Sequence, residues 1–307
     1  MAAIAGGNQN NVVSLLERAP ESWSERVLDL RYGNQGLNVV ITNVVATAAI
    51  AATAALYSAA LPAVATIGAV VILPSIALFG PINYLSYLPA PLQLGLEHVA
   101  SLLLVNVKKD GSWEPKVSWL DRNWGHFNDH NLSKTLIDCF VKRSGKDGTW
   151  LDVGCGNGFY VKNAHNRGLN GVYGCDGNPT TKDLGKNFDV VELHEPNCFA
   201  HAQDLKSGTY DLVTSFEVAE HIPTLYTETF LNNLASKVKE NGTLVLSWAR
   251  KGQGGLGHVN EQDAQYVIDK MESRGFELHV EDSRSLRRCT SPNTPWFFHT
   301  LFVFKKD

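Results

Sequence analysis

Leu151-Asp152-Val153-Gly154-Cys155-Gly156-Asn157-Gly158-Phe159-Tyr160 is the stretch from which the fold is read. Its apolar opening reads as a buried strand, the alternate glycines as a tight turn, and Phe159-Tyr160 as the start of a helix. Glycine there lets the backbone take positive φ and lets a ligand come close, because no Cβ stands in the way. A second apolar run, Val172-Tyr173-Gly174-Cys175-Asp176, also ends in an acid. Asp152 and Asp176 thus face the crevice at the carboxyl ends of two strands, where open α/β sheets bind ligands. A ligand with an amine or ribose hydroxyls suits two carboxylates.

The dinucleotide fingerprint Gly-x-Gly-x-x-Gly fits less well. Its last glycine would fall at Phe159, and it has no counterpart of the leading acid Asp152. The run resembles instead the first motif of class I S-adenosylmethionine-dependent methyltransferases, an acid followed by Gly154, Gly156 and Gly158. Further elements follow in that family's order. Asp176 stands where the family binds ribose. Ala202-Gln203-Asp204-Leu205 is similar to its third motif, whose acid approaches the adenine amino group, and Tyr210 to Glu217 is similar to its fourth strand. The resemblance covers residues 146–307 and implies S-adenosylmethionine as cofactor, held by Asp152, Gly154, Gly156, Gly158, Asp176, Asp204 and Phe216. The methionine moiety is expected over the Gly154–Gly158 loop.

Strands are expected at 149–153, 172–176, 210–215 and 243–248, with helices near 158–167, 224–240 and 261–274. Asn241-Gly242 reads as a helix terminator. The aromatic run from Trp296 to Phe304 alternates well enough for a late strand. The fold class is α/β, a Rossmann-like doubly wound sheet, with seven strands and an antiparallel last one by resemblance.

The other half of the chain is electrically unusual. Residues 32–96, between Arg31 and Glu97, carry no Asp, Glu, Lys or Arg. Leu37 to Leu61 and Ala63 to Gly80 within it are long enough to cross a bilayer core. A soluble helix needs a wetted face, so membrane insertion is the expectation, over burial against the catalytic half. Cations on both flanks (Arg18, Arg26 and Arg31 before; Lys108, Lys109 and Lys116 after) suit a two-pass hairpin with both ends and the catalytic domain in the cytosol. A single span or a monotopic hairpin also fits the short Ser58–Pro62 turn. No removable targeting peptide is read at the start. The organisation expected is an amphipathic segment over 1–35, a hydrophobic anchor over 36–90, an aromatic-rich linker or lid over 91–145, and the methyltransferase domain over 146–307.

Net charge is −4 and the pI about 6.2. No bulk basic field exists to attract nucleic acid. Five cysteines without Cys-x-x-Cys spacing read as reduced thiols of a cytosolic domain. In the linker, Trp124, His126 and Phe127 either lid the cofactor or pack the linker onto the sheet. His126 and His130 have the four-residue spacing of helical metal ligands, but no third ligand lies nearby, and a structural role is preferred.

Phe216-Glu217-Val218-Ala219-Glu220-His221-Ile222-Pro223 follows the fourth strand, where the fold faces its methyl donor. Glu-x-x-Glu-His is similar to the segment in ubiquinone-pathway O-methyltransferases and in small-RNA 2′-O-methyltransferases. That likeness implies a divalent metal (Mg²⁺ or Mn²⁺) held by Glu217, Glu220, His221 and, after the fifth strand, His258. It implies Glu220, His221 and His258 as catalytic groups. Glu217 and Glu220 have the spacing of a shared helical face. A metal-free reading also stands: Glu220 and His221 packing a helix start, or His221 acting as general base. The loop from Ser247 to His258 borders the site, and Arg284, Arg287 and Arg288 read as a solvated face.

The function expected is methyl transfer to oxygen on a small-molecule, glycan or lipid-linked hydroxyl at a membrane. The alternatives are RNA-terminal 2′-O-methylation, opposed by the acidic pI, and a non-catalytic membrane scaffold with this fold.

Overall fold

The computed structural model describes residues 128–307 except 203, 204, 206, 207, 256, 292 and 293, together with Val13, Leu16, 105–108, 113–115 and His126. The uncharged segment 32–96 lies outside the described residues, and so does the whole anchor read over 36–90. Among the described residues no helix is long and apolar enough to cross a membrane.

In chain order the elements are strands β1 (Val105–Val107) and β2 (Trp113–Pro115), helix α1 (His130–Ser144), β3 (Trp150–Val153), α2 (Phe159–Asn166), β4 (Val172–Asp176), β5 (Phe188–Val190) and β6 (Tyr210–Ser215). They continue with α3 (Thr227–Lys237), β7 (Val238–Ser247), α4 (Ala264–Glu272), β8 (Phe276–Leu278), α5 (Val280–Arg288), the single turn α6 (Phe297–Thr300) and β9 (Leu301–Lys306). Strands β1 and β2 form an antiparallel ribbon. The other seven form one sheet in the order β5-β4-β3-β6-β7-β9-β8, parallel from β5 to β7 and antiparallel where β9 meets β7 and β8. The order reverses at β3, so the crevice opens beside that strand's carboxyl end.

Period-two alternation divides the core between the sheet's two faces. Leu151, Val153, Val213, Leu244, Leu246, Phe302 and Phe304 point to one side and meet Phe230, Leu231 and Leu234 of α3 and Val267, Ile268 and Met271 of α4. Trp150, Val172, Leu212, Val245, Leu301 and Val303 point to the other, against α1, α2 and α5. Both strand faces are covered, which is why the parallel strands read as continuous apolar runs.

Several boundaries differ from the expected ones, each for a local reason. Helix α3 stops at Lys237, and Asn241-Gly242 lies inside β7 instead of ending a helix. Val238 pairs with Tyr210 and Thr243 with Leu212, so β7 carries an irregularity that Asn241 takes up at φ 60°. The last strand begins at Leu301, because Phe297–Thr300 closes one helical turn first. Strands β5 and β8, three residues each, are too short for a period to stand out.

Helix α1 falls in the stretch read as linker, yet Leu132, Leu136, Ile137 and Phe140 pack against Trp150 in the core. Of the amphipathic N-terminal segment, Leu16 is buried in the α3–α4 face, and its carbonyl accepts from Arg287 Nη1 at 3.4 Å. Arg287 itself corrects the solvated-face reading. It is buried, donates from Nε to Leu301 O at 2.8 Å and stacks over the Phe302 ring.

Asp129 ties α1 to the end of the chain. Its buried carboxylate caps the helix through Leu132 N (2.8 Å) and accepts from Ser291 N (2.7 Å) and the Thr294 hydroxyl. Asp129→Ala removes the acceptor of the buried Leu132 amide, the half-buried Ser291 amide and the Thr294 hydroxyl, and a buried donor left unpaired costs about 1–3 kcal/mol. Urea unfolding is expected to show a loss of at least about 2 kcal/mol with the slope m unchanged.

Candidate active site

The glycine loop is fastened from below. Gly154 N and Cys155 N both donate to Cys175 O, at 2.8 and 2.9 Å, which ties the end of β3 to the end of β4. Asp176 holds it from the side: Oδ2 accepts from Gly156 N and Oδ1 from Asn178 N, both at 2.9 Å. Gly154, Gly156 and Gly158 all take positive φ, as the sequence requires of them. A side chain on Gly154 would run into Val218, and one on Gly156 would come within 2.6 Å of the His126 ring. The cradle thus has a roof contributed by the chain that precedes α1.

Asp152 does not open onto the crevice. Its buried carboxylate accepts from Thr214 Oγ1 at 2.6 Å, and that hydroxyl accepts from Trp150 Nε1 at 2.8 Å. It joins β3 to β6 beneath the loop. Burial, with the Asp176 charge adding to it and the Thr214 bond opposing, pushes its pKa up to about 7. Phe216 is buried between Tyr160 and Phe297, with ring centroids 5.0 and 5.9 Å away. Asp204 lies outside the described residues.

His126 and His130 do not meet as ligands. His126 sits on Gly156 near Asp176, while exposed His130 packs edge-on against Phe159 at 4.8 Å. Trp124 and Phe127 lie outside the described residues.

Beyond β6 the chain turns instead of continuing as a helix. Glu217 has φ 55°, and residues 218–222 form tight turns, so Glu217 and Glu220 do not share a helical face. Glu217 Oε1 accepts from Ser247 Oγ at 2.8 Å; Glu220 clusters with the imidazoles. One ligand atom each from Glu220, His221 and His258 lies within 4.8 Å of the others. Of the four residues read as metal ligands, three therefore converge and Glu217 stands beside them.

The three form one cluster with distinct hydrogen-bond surroundings. Glu220 is 0% exposed, and neither carboxylate oxygen has a hydrogen-bond partner of good geometry. Burial and the neighbouring Glu217 raise its pKa well above the usual range, with the amides of Glu220 and Ala249 opposing weakly. His221 Nδ1 lies 3.2 Å from Gly257 O, and a carbonyl can only accept, so that nitrogen carries the hydrogen and Nε2 keeps its lone pair. His258 Nδ1 lies 2.9 Å from Glu261 Oε1, which orients that ring through its Nδ1–H. Burial, aided by His258, takes the His221 pKa down to about 3, so the ring is neutral at pH 7. Although burial works against it, the bonds from His258, Gly252 and Gly254 hold Glu261 below its usual range. A carboxylate orienting a histidine in this way is the usual support of a ligating imidazole. Glu261 was not singled out by sequence; its three-residue spacing from His258 was the available signal.

Residues 124–289 match the family model described as a methyltransferase domain. The chain belongs to this family. It is an S-adenosylmethionine-dependent methyltransferase. No curated protein sequence matches it. Similar solved structures include magnesium protoporphyrin IX methyltransferase from Synechocystis PCC 6803 with bound SAH, at 20% identity over 58% of this chain and 84% of that one, with a TM-score of 0.42. Another is an amino pentose methyltransferase of calicheamicin biosynthesis from Micromonospora echinaspora, at 14% identity over 58% and 91%, TM-score 0.42. A third is a TehB-like SAM-dependent methyltransferase from Corynebacterium glutamicum, at 20% identity over 59% and 90%, TM-score 0.41.

In this methyltransferase the buried acid under the loop has a consequence for stability. The folded pKa of Asp152, about 7, lies above the unfolded value of roughly 3.9. The folded state then holds the proton more tightly, so this contribution is complete below about pH 4 and is lost as pH rises through about 7. Asp152→Asn keeps an acceptor for Thr214 and cannot ionise. Denaturant unfolding of the cofactor-free protein at pH 5 and pH 8 should show a smaller fall in stability for the variant than for wild type. Glu217, raised to about 7 chiefly by burial, contributes a slope of the same sign and leaves part of the fall in place.

Proposed function

We propose that this enzyme transfers the methyl group of S-adenosylmethionine to oxygen, on a small-molecule, glycan or lipid-linked hydroxyl at a membrane. The cofactor would lie over the Gly154–Gly158 loop, with Asp176 toward the ribose, and Asp204 toward the adenine amino group. The observation that carries the oxygen assignment is Glu220, a fully buried carboxylate whose oxygens have no hydrogen-bond partner of good geometry among the described residues, clustered with His258 and with His221, whose Nε2 lone pair is free. A buried, uncompensated carboxylate is costly unless it neutralises or finds a cation. The residues fit a divalent metal: one carboxylate and two imidazoles suit Mn²⁺ and similar ions, with a carboxylate behind His258. Glu217, held by Ser247, adds negative charge beside the set without joining it.

Bound there, a divalent cation supplies Lewis acidity that lowers the pKa of an acceptor hydroxyl. The chain's own contribution is arrangement. Glu220, His221 and His258 fix where the acceptor oxygen lies. The Gly257 carbonyl orients the neutral imidazole of His221, and Glu261 orients that of His258. The walls formed by Phe216, Tyr160 and Val218 exclude water from the donor side. Orientation of two reactants at contact distance is a large part of such a rate.

The uncharged segment 32–96 supports membrane attachment. We place the catalytic domain on the cytosolic side, with residues 36–90 as the anchor and no nucleic-acid partner.

Calorimetry with Mn²⁺ is expected to show one site per chain in the wild type and none in Glu220→Ala or His258→Ala, with binding of S-adenosylhomocysteine unchanged. Glu261→Ala should weaken Mn²⁺ by roughly 10–100-fold. Methyl transfer that persists undiminished in excess chelator would remove the metal from this reading.

A further inference from the structure

Among the described residues only two large hydrophobic side chains are exposed, Leu225 at 83% and Val259 at 54%. Singly exposed apolar residues are ordinary on a protein surface. Their position is not. Leu225 lies four residues after His221, and Val259 directly follows His258.

The two segments that bear them are sewn together. Val259 N and Asn260 N donate to Glu220 O at 2.9 and 3.0 Å. Asn260 Nδ2 donates to Ile222 O at 3.0 Å and to Thr227 Oγ1 at 2.9 Å, and Thr224 Oγ1 donates to Asn260 Oδ1 at 3.4 Å. Asn260 is buried and also takes Trp248 Nε1 on its carbonyl. Leu225 and Val259 therefore stand on one rigid strip whose inner edge is Glu220, His221 and His258. The strip has no Lys or Arg between Glu220 and Thr227 or between Gly257 and Asn260. The adjoining loop carries Arg250 and Lys251, the latter paired with Asp263 at 2.6 Å.

We infer that Leu225 and Val259 form an apolar lip that receives a hydrocarbon portion of the acceptor, adjoining the hydroxyl that is methylated. The inference rests on the O-methyltransferase reading and narrows its substrate class to lipophilic acceptors. An exposed leucine beside a site costs nothing to a polar substrate and contributes to affinity only when apolar surface covers it. The absence of lysine and arginine on the strip deprives a polyanion such as RNA of the phosphate contacts that dominate its affinity. The uncharged residues 32–96 of the same chain fit an acceptor that resides in a bilayer.

The test uses the full chain in detergent with methyl-labelled S-adenosylmethionine, offered separately a total lipid extract, a water-soluble glycan extract and an RNA extract. The expected result is label in the organic-extractable lipid fraction, reduced roughly tenfold or more in the Leu225→Asn, Val259→Thr double variant. Both side chains are exposed and the replacements match them in size, so folding is retained; unchanged S-adenosylhomocysteine and Mn²⁺ binding verifies it. Label confined to glycan or RNA overturns the lip and leaves O-methylation standing. Label in lipid that the double variant does not reduce overturns it equally. Absence of label from all three extracts ends the O-methyltransferase reading and this inference with it.

Discussion

The bond between the Asp176 carboxylate and the Gly156 amide holds the site in register. Through it, β4 fixes the loop that leaves β3, while Cys175 O takes the two preceding amides. Three glycines at positive φ could adopt many conformations, and their freedom costs entropy on folding. Three hydrogen bonds from one neighbouring strand choose a single path. Everything above the loop, including His126 over Gly156 and Val218 over Gly154, is positioned relative to that path.

A second constraint governs the acceptor side, and it is electrostatic. Asp152, Glu217 and Glu220 are carboxylates in the interior, and burial raises the pKa of each. The sheet treats them differently. Asp152 and Glu217 have hydroxyl donors, Thr214 and Ser247. Glu220 has none, and it is the one whose carboxylate clusters with both His221 and His258. The uncompensated carboxylate thus lies where two imidazoles converge. Its backbone carbonyl meanwhile holds Val259 and Asn260 and keeps the imidazole of His258 within reach. One residue serves both charge and architecture.

Much of this was legible without coordinates. The strands carrying Asp152, Asp176 and Thr214 are apolar runs bounded by turns, and the glycine spacing fits the dinucleotide alternative less well. The convergence of Glu220, His221 and His258 was read by likeness to known segments. Other features lack a local signal. β5 and β8 are three residues each, too short to show a period. Asn241-Gly242 has the composition of a helix stop yet lies within a strand, because pairing of Val238 with Tyr210 outweighs local preference. Arg287 looked solvated because an arginine seldom pays for burial; a carbonyl, a ring and the Leu16 backbone together compensate it.

The sequence by itself determined the α/β class, the glycine cradle and the family, since these depend on residue order along a strand and its turn. It also determined that residues 32–96 carry no charge. Tertiary structure decided the rest of the site. It separated Glu217 from Glu220 through a backbone turn, assigned Glu261 to His258, buried Asp152 under the loop and brought Leu225 and Val259 to one strip. The reason is that hydrogen-bond partners and desolvation are set by what folds over a residue from distant segments, and no window along the chain contains them.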